Sequence, residues 1–435
     1  MAVSRIPIRA QSASAAGSRA ENVTRHTGRR STYSMGRMAE SEVYVVWDDA
    51  VTGYDFGPAH PMHPLRLELS ARLAMDFGLF DLDRVHVHPV GEIDEEALAR
   101  VHEPDYIAAV RQAGTAEGLS REDAERYGIG TEDVPGFANM HTASAMLFQG
   151  SVDAARAIIG GDYAHAVNFS GGMHHAMPGS ASGFCVYNDI AGAIDEFLEA
   201  GCERIAYIDL DAHHGDGPEK IYWDDPRVLT ISMHESGKYL FPGSGFPADI
   251  GGLRAAASAA NIALPPRIVD ADWLRAFDAT IPALVREFAP QVIVSQHGCD
   301  GHRMDPLTHM RLSVDGMRIA TSWVRDLAAE HCGGRWLAVG GGGYAILDVV
   351  PRVWTNLIAI AADADIDPAS RIPGRWAHYA QTTTGREAPL SMTDGFDGYF
   401  AAWSGGFDPE SELDRAVMAT RKNLFPFYGL DPYFD

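Results

Sequence analysis

From Val43 onward the chain switches repeatedly between two hydrophobic periods. Short runs rich in β-branched and aromatic residues recur at Val43–Trp47, Ala166–Phe169, Ile205–Leu210, Val228–Met233, Val292–Gln296 and Trp336–Val339. Apolar runs this short predict strands buried on both faces. Between them lie longer stretches with a helical repeat: Met140–Ile159, Asp189–Ala200, Trp273–Phe288 and Val314–His331. In the first, Ala143, Met146, Leu147, Gly150, Ala154, Ala157 and Ile158 fall on one stripe. Strands that alternate with helices pair in parallel, with helices covering both sheet faces. The pattern predicts one large α/β domain over residues 41–380, a parallel sheet flanked by helices, with no repeats and no internal linker. Residues 381–435, with Phe425-Pro426-Phe427-Tyr428-Gly429 near their end, read as an aromatic tail that packs back on the domain or docks a partner.

Composition narrows the function classes. With 46% apolar and 22% charged residues over 435 positions, the chain can bury a sizeable core. No apolar stretch approaches the roughly 20 residues of a membrane span. A net charge of −24 argues against sequence-independent binding of nucleic acid and favours cationic partners such as lysine-bearing chains. Residues 1–40 differ, with seven arginines against two acids and many Ser and Ala. They read as a disordered tail or as a start placed upstream of Met35 or Met38, with an organellar transit peptide as the third reading and no secretory leader. Cys185, Cys202, Cys299 and Cys332 are too few for a disulfide framework and form no CxxC pair, which fits a reducing cytoplasm. Any metal must then be held by His and carboxylate.

The polar chemistry gathers directly behind the predicted strands. Ile205–Leu210 runs into Asp209-Leu210-Asp211-Ala212-His213-His214-Gly215-Asp216, and Val292–Gln296 into His297-Gly298-Cys299-Asp300. Ala166–Phe169 leads to Gly171-Gly172-Met173-His174-His175, and Trp336–Val339 to Gly340-Gly341-Gly342-Gly343-Tyr344. Open α/β sheets bind ligands outside the carboxyl ends of their strands. Asp211 and His213, two apart on an extended segment, point to the same side. With Asp300 they make a three-ligand His-carboxylate set, which leaves a coordination position for water as catalytic zinc does. Fe²⁺, Co²⁺ and Mn²⁺ accept the same donors. So many ionisable groups at a buried strand end repel one another unless something neutralises them. Taken alone, His174-His175 after two glycines is a structural turn. The surplus acids Asp209 and Asp216 make it a pair of imidazoles oriented by carboxylates. The glycine run lacks the Lys-Ser/Thr of a phosphate loop, so it reads as backbone passing close to a ligand, with Tyr344 as phenol donor.

Five ordered blocks then carry a resemblance: Gly171–Ala176, Ala181-Ser182-Gly183-Phe184-Cys185-Val186-Tyr187-Asn188-Asp189, Asp209–Asp216, Phe241-Pro242-Gly243-Ser244-Gly245 and Gly340–Tyr344. In order, they resemble the signatures of class I-type histone deacetylases, nearest the bacterial acetoin-utilisation branch, from about Val43 to about Trp376. The resemblance implies the arginase/deacetylase fold and zinc-dependent removal of acetyl from the lysine ε-amine. It implies zinc on Asp211, His213 and Asp300, His175 with Asp216 as general base and acid, and His174 with Asp209 as its electrostatic partner. Tyr344 becomes the carbonyl polariser, Phe184 and Phe241 the walls of the acyl-lysine slot, and Gly183 the carbonyl that accepts the scissile amide N–H. Asp133 matches the rim acid that grips substrate backbone, and Arg66 the arginine of the inner channel. Potassium is implied near Asp209, Asp211, His213, Ser232 and Met233. Phe137-Ala138-Asn139-Met140 departs from the family's usual rim, and no basic inositol-phosphate patch is present, so no co-repressor complex is expected.

The expected substrate is an acetylated metabolic enzyme, such as an acetyl-CoA-forming synthetase in acetoin or acetate metabolism. Three rivals were weighed. A two-manganese ureohydrolase needs a carboxylate at His302 or Met304, where none stands. An acetylpolyamine amidohydrolase shares the zinc and the imidazoles but takes free small amines. An inactive binding module requires the loss of a ligand or base, and every one of those residues is present.

Overall fold

The structure, a computed structural model, describes residues 42–435. The extension expected over residues 1–40 lies outside the described residues. Eight strands form one sheet: β1 (Val43–Val46), β2 (Val85–His88), β3 (His165–Asn168), β4 (Ile205–Asp209), β5 (Val228–Glu235), β6 (Ala259–Leu264), β7 (Val292–Gln296) and β8 (Trp336–Val339). Their order is β2-β1-β3-β8-β7-β4-β5-β6 and every pairing is parallel. All residues of β3, β4, β5, β7 and β8 are buried, as unbroken apolar runs require when both sheet faces are covered. Helix Met140–Gly160 packs on Asp189–Glu199, Leu65–Asp76 on Val350–Ala361, and Asp270–Phe288 on Val314–His331.

The register positions the chemistry. Asn168 pairs with Val339, Val339 with Gln296, and Gln296 with Asp209. Four adjacent central strands therefore stop at one level, and the turns that follow them open onto a common space.

Two strands escape the sequence pattern, and both lie at an edge. β2 reads Val-His-Val-His and is only partly covered. β6, Ala259–Leu264, is composed largely of small residues yet is wholly buried, because helix Glu412–Leu424 packs against it. Thr420 Oγ1 donates to the carbonyl of Asn261 at 2.5 Å, and Arg275 pairs with Asp414 at 2.6 Å. Within residues 381–435, helix Glu412–Leu424 thus lies against β6, whereas Met392 packs with Leu69, Leu73 and Trp376. Among the described residues no helix is long and apolar enough to cross a membrane.

Candidate metal and acid–base site

The turn after β4 folds its acids inward by satisfying each carboxylate oxygen locally. Asp209 Oδ1 accepts from the N–H of Asp211 at 3.1 Å, and its Oδ2 from the Tyr207 hydroxyl at 2.6 Å. Asp211 Oδ1 accepts from His213 N–H at 3.0 Å; its Oδ2 accepts from the Gln296 amide at 2.8 Å and from Gly342 N–H at 2.9 Å. Asp300 Oδ1 accepts from Ala212 N–H at 2.9 Å. These bonds tie the ends of β4, β7 and β8 into one rigid floor.

On that floor Asp211, His213 and Asp300 converge. One donor atom from each lies within 4.8 Å of the others. His213 Nδ1 stands 3.1 Å from Asp211 Oδ1 and 2.8 Å from Asp300 Oδ2. Both aspartates are completely buried, and among the described residues neither pairs with lysine or arginine. Burial and the facing Asp211 carboxylate push Asp300 up to about 6. Two buried like charges with an imidazole nitrogen between them are costly alone and well matched to a divalent cation. One nitrogen and two oxygen donors suit zinc or its first-row neighbours.

Beside this group the two imidazoles of the β3 turn lie tilted at 50° to each other, 4.0 Å apart between ring centroids. His174 Nδ1 is 2.8 Å from Asp209 Oδ2, and His175 Nδ1 is 2.7 Å from Asp216 Oδ1. Burial opposes charge on His174, but the carboxylates of Asp209 and Asp211 outweigh it and raise its pKa to about 9. Burial and the neighbouring His174 lower His175 to about 4, against the pull of Asp216. The two rings are thus biased in opposite directions, His174 toward its cation and His175 toward its neutral form, as divergent environments do for paired titratable groups. Across the site Tyr344 packs edge-on to Phe184 at 5.6 Å. Burial, then the charges of Asp300 and Asp211, hold its phenol well above the usual range, so it stays protonated. Among the described residues its hydroxyl has no hydrogen-bond partner.

The mouth is aromatic. Phe241 stands edge-on to His175 at 5.0 Å and is 46% exposed. Phe184 holds a left-handed backbone (φ 64) after Gly183 (φ 53), and the Tyr54 hydroxyl donates to its carbonyl at 2.7 Å. A Cβ at Gly183 would collide with the His175 ring, so only glycine lets this segment approach it. The Gly183 carbonyl accepts from Cys185 Sγ at 3.2 Å. Asp133, expected at the rim, is partly buried, and its Oδ2 accepts from Gly183 N–H at 2.7 Å. Arg66 lies behind the glycine run, donating to the Gly341 carbonyl at 2.7 Å with its guanidinium 5.1 Å from the centre of the Trp354 ring. Asp209 and Ser232 are direct partners across β4 and β5, so the residues expected around potassium gather where the end of β4 meets the middle of β5. His302 turns away from the site to Asp394, 2.8 Å distant.

Sequence reasoning missed several supports. Asp189 accepts from Gly172 and Met173 N–H (3.0 and 2.7 Å) and from the Ser151 hydroxyl (2.6 Å), pinning the turn that carries both imidazoles. Asp305 holds the N–H of Tyr344 at 2.8 Å. Gln296 bridges β7 to Asp211. Asp189 stood inside a quoted block and Gln296 ended a predicted strand, but only packing discloses their partners.

Comparison with known proteins agrees with this geometry. Residues 60–361 match the histone deacetylase domain. The chain is 39% identical over 378 residues to the acetoin utilization protein AcuC of Bacillus subtilis, covering 87% of this chain and 94% of that protein. It is 35% identical to the AcuC of Staphylococcus xylosus, covering 84% and 94%. A solved histone deacetylase homologue from Aquifex aeolicus superposes with a TM-score of 0.75 at 26% identity, over 87% of this chain and all of that one. A homologue solved in complex with SAHA superposes with a TM-score of 0.76 at 27% identity and the same coverage.

Proposed function

The chain belongs to the histone deacetylase family, and from that premise we propose that it is a zinc-dependent hydrolase of ε-N-acetyl-lysine in protein substrates. The observation that carries the reading is the convergence of Asp211, His213 and Asp300 beside the His174–Asp209 and His175–Asp216 pairs. Those three residues would hold the metal, with Fe²⁺ and Co²⁺ as acceptable substitutes. When bound, the cation polarises a carbonyl and acidifies water. The remaining steps fall to the chain itself. Phe184 and Phe241 flank a long methylene stem and exclude branched side chains. The Gly183 carbonyl accepts the amide N–H, while Asp133 lies at the rim beside the substrate main chain. His175, neutral and oriented by Asp216, takes the proton of the attacking water and returns it to the departing amine. His174, kept cationic by Asp209, stabilises the negative charge that develops. Tyr344 donates its phenol hydrogen to the carbonyl oxygen on which that charge develops. Arg66 faces the inner channel, and potassium beside Asp209 and Ser232 would brace the β4 turn.

The proposed substrate rests on similarity to the acetoin utilization proteins and on the net charge of −24: an acetylated metabolic enzyme, such as an acetyl-CoA-forming synthetase. Purified protein should release acetate from an acetyl-lysine peptide and restore activity to such a synthetase. Tyr344→Phe should keep its metal and lose roughly 10²- to 10³-fold in kcat. Hydrolysis of acetylspermidine without hydrolysis of the peptide would overturn the reading in favour of a polyamine amidohydrolase.

A further inference from the structure

Asp305 is a buried carboxylate for which the chemistry above has no use. It lies five residues beyond Asp300, and among the described residues no cationic side chain pairs with it. Its own N–H donates to the His302 carbonyl at 2.8 Å. One oxygen accepts from Leu307 N–H at 3.0 Å, a local turn contact of the kind aspartate makes in many loops. The other reaches a residue 39 positions away, accepting from the main-chain N–H of Tyr344 at 2.8 Å. That second bond is not turn chemistry.

Tyr344 needs such a tether. It follows four glycines, two of them at φ 148 and 151, a run with no side chains to fix its course. The run is pinned at Gly341 by Arg66 (2.7 Å), and at Gly342 by the N–H of Cys299 (2.7 Å) and by Asp211 (2.9 Å). Beyond Gly343 the N–H of Tyr344 has Asp305 as its acceptor. We propose that Asp305 is the positioning residue for Tyr344: its Oδ2 fixes the tyrosine main chain to the loop bearing Asp300, so the phenol donor is held at a set place relative to Asp211, His213 and Asp300. The inference rests on the proposed deacetylase reading. Burial, then the nearby Asp300, raises the Asp305 pKa to about 8.

Asp305→Asn tests this. The amide keeps the shape but offers one acceptor, and its NH₂ must face one of the two N–H donors. Four proteins are compared on an acetyl-lysine peptide: wild type, Asp305→Asn, Tyr344→Phe and the double variant, with metal content and thermal unfolding recorded for each. Asp305→Asn should keep its metal, hold KM within about twofold and lose about 10- to 100-fold in kcat. In the Tyr344→Phe background the same change should cost under about threefold, because the hydroxyl it positions is gone. Equal losses in both backgrounds, or no loss in the single variant, overturn the proposal while leaving the deacetylase reading intact. An inactive wild type overturns both. Should Asp305→Asn fail to fold, Asp305→Glu carries the same comparison, since it keeps both acceptors and displaces them by one methylene.

Discussion

Behind the site, Asp209, Asp211 and Asp300 are wholly buried, both oxygens of Asp209 and of Asp211 accept a hydrogen bond, and Asp300 Oδ1 accepts from Ala212 N–H; in front of it, Phe241 is 46% exposed. The floor is a closed polar network whose members hold one another at fixed separations. The mouth consists of aromatic rings carried on loops, in loose edge-to-face contacts such as Phe184 with Tyr344 and Phe241 with His175. On the proposed reading, reaction geometry belongs to the floor and substrate affinity to the mouth. A change in the network should remove chemistry, because leaving any buried carboxylate unpaired is expensive. A change at the mouth should weaken binding and spare the turnover step.

The largest effect expected lies in the floor. His213→Ala removes the nitrogen donor and leaves Asp211 and Asp300 face to face. Metal content should fall to background, and activity by on the order of 10³-fold or more, the worth of several kcal/mol of charge stabilisation. Elemental analysis beside peptide kinetics checks it. Retention of both metal and rate would remove His213 from the ligand set and break the distinction between floor and mouth.

The same distinction explains what was legible in the sequence. Floor residues follow their strands within a few positions, so the apolar runs before Asp211, His175, Asp300 and Tyr344 announce the strand ends. The six strands found from sequence include all four that end at the site. β2 and β6 were missed because an edge strand need not be apolar throughout: β2 is half-covered, and β6 uses alanines that let helix Glu412–Leu424 approach. Partners distant in sequence were also out of reach. Nothing in the spacing of Asp305 and Tyr344, or of Asp189 and Met173, says that they touch. Phe184 and Phe241 were found only through a family resemblance, since a lone phenylalanine reads as core.

At the mouth a smaller effect follows. Phe241→Ala removes one wall of the slot while leaving every donor to Asp211 and Asp300 in place. The lost apolar contact of a half-exposed ring is worth about 1 kcal/mol, so KM for an acetyl-lysine peptide should rise roughly five- to tenfold while kcat changes by less than about threefold. A collapse of kcat at constant KM would place Phe241 in the reaction geometry and blur the line drawn above.

The smallest effect lies one layer further back, where a histidine supports both regions without touching substrate. His102 is buried beneath the segment that follows His174 and His175. Its Nδ1 faces the Met177 carbonyl at 3.1 Å, and its Nε2 accepts from the N–H of Asn188 at 2.9 Å. Asn188 in turn caps helix Asp189–Glu199 by accepting from Ala191 N–H and donates to the Ala176 carbonyl. The ring must be neutral, because protonation would set an N–H against the Asn188 N–H. Burial accordingly lowers its pKa from 6.5 to about 4. The folded-state value is depressed, so between pH 6.5 and 4 the unfolded chain binds the extra proton. The contribution of His102 is therefore complete above pH 6.5 and is lost as the pH falls toward 4, with a slope of at most about 1.4 kcal/mol per unit. His102→Gln should flatten stability against pH across that window, as read from denaturant unfolding, with kcat at pH 8 changed by less than about twofold. An unchanged slope would mean that His102 titrates normally in the folded protein. A large loss of turnover would extend the reaction geometry into this outer layer.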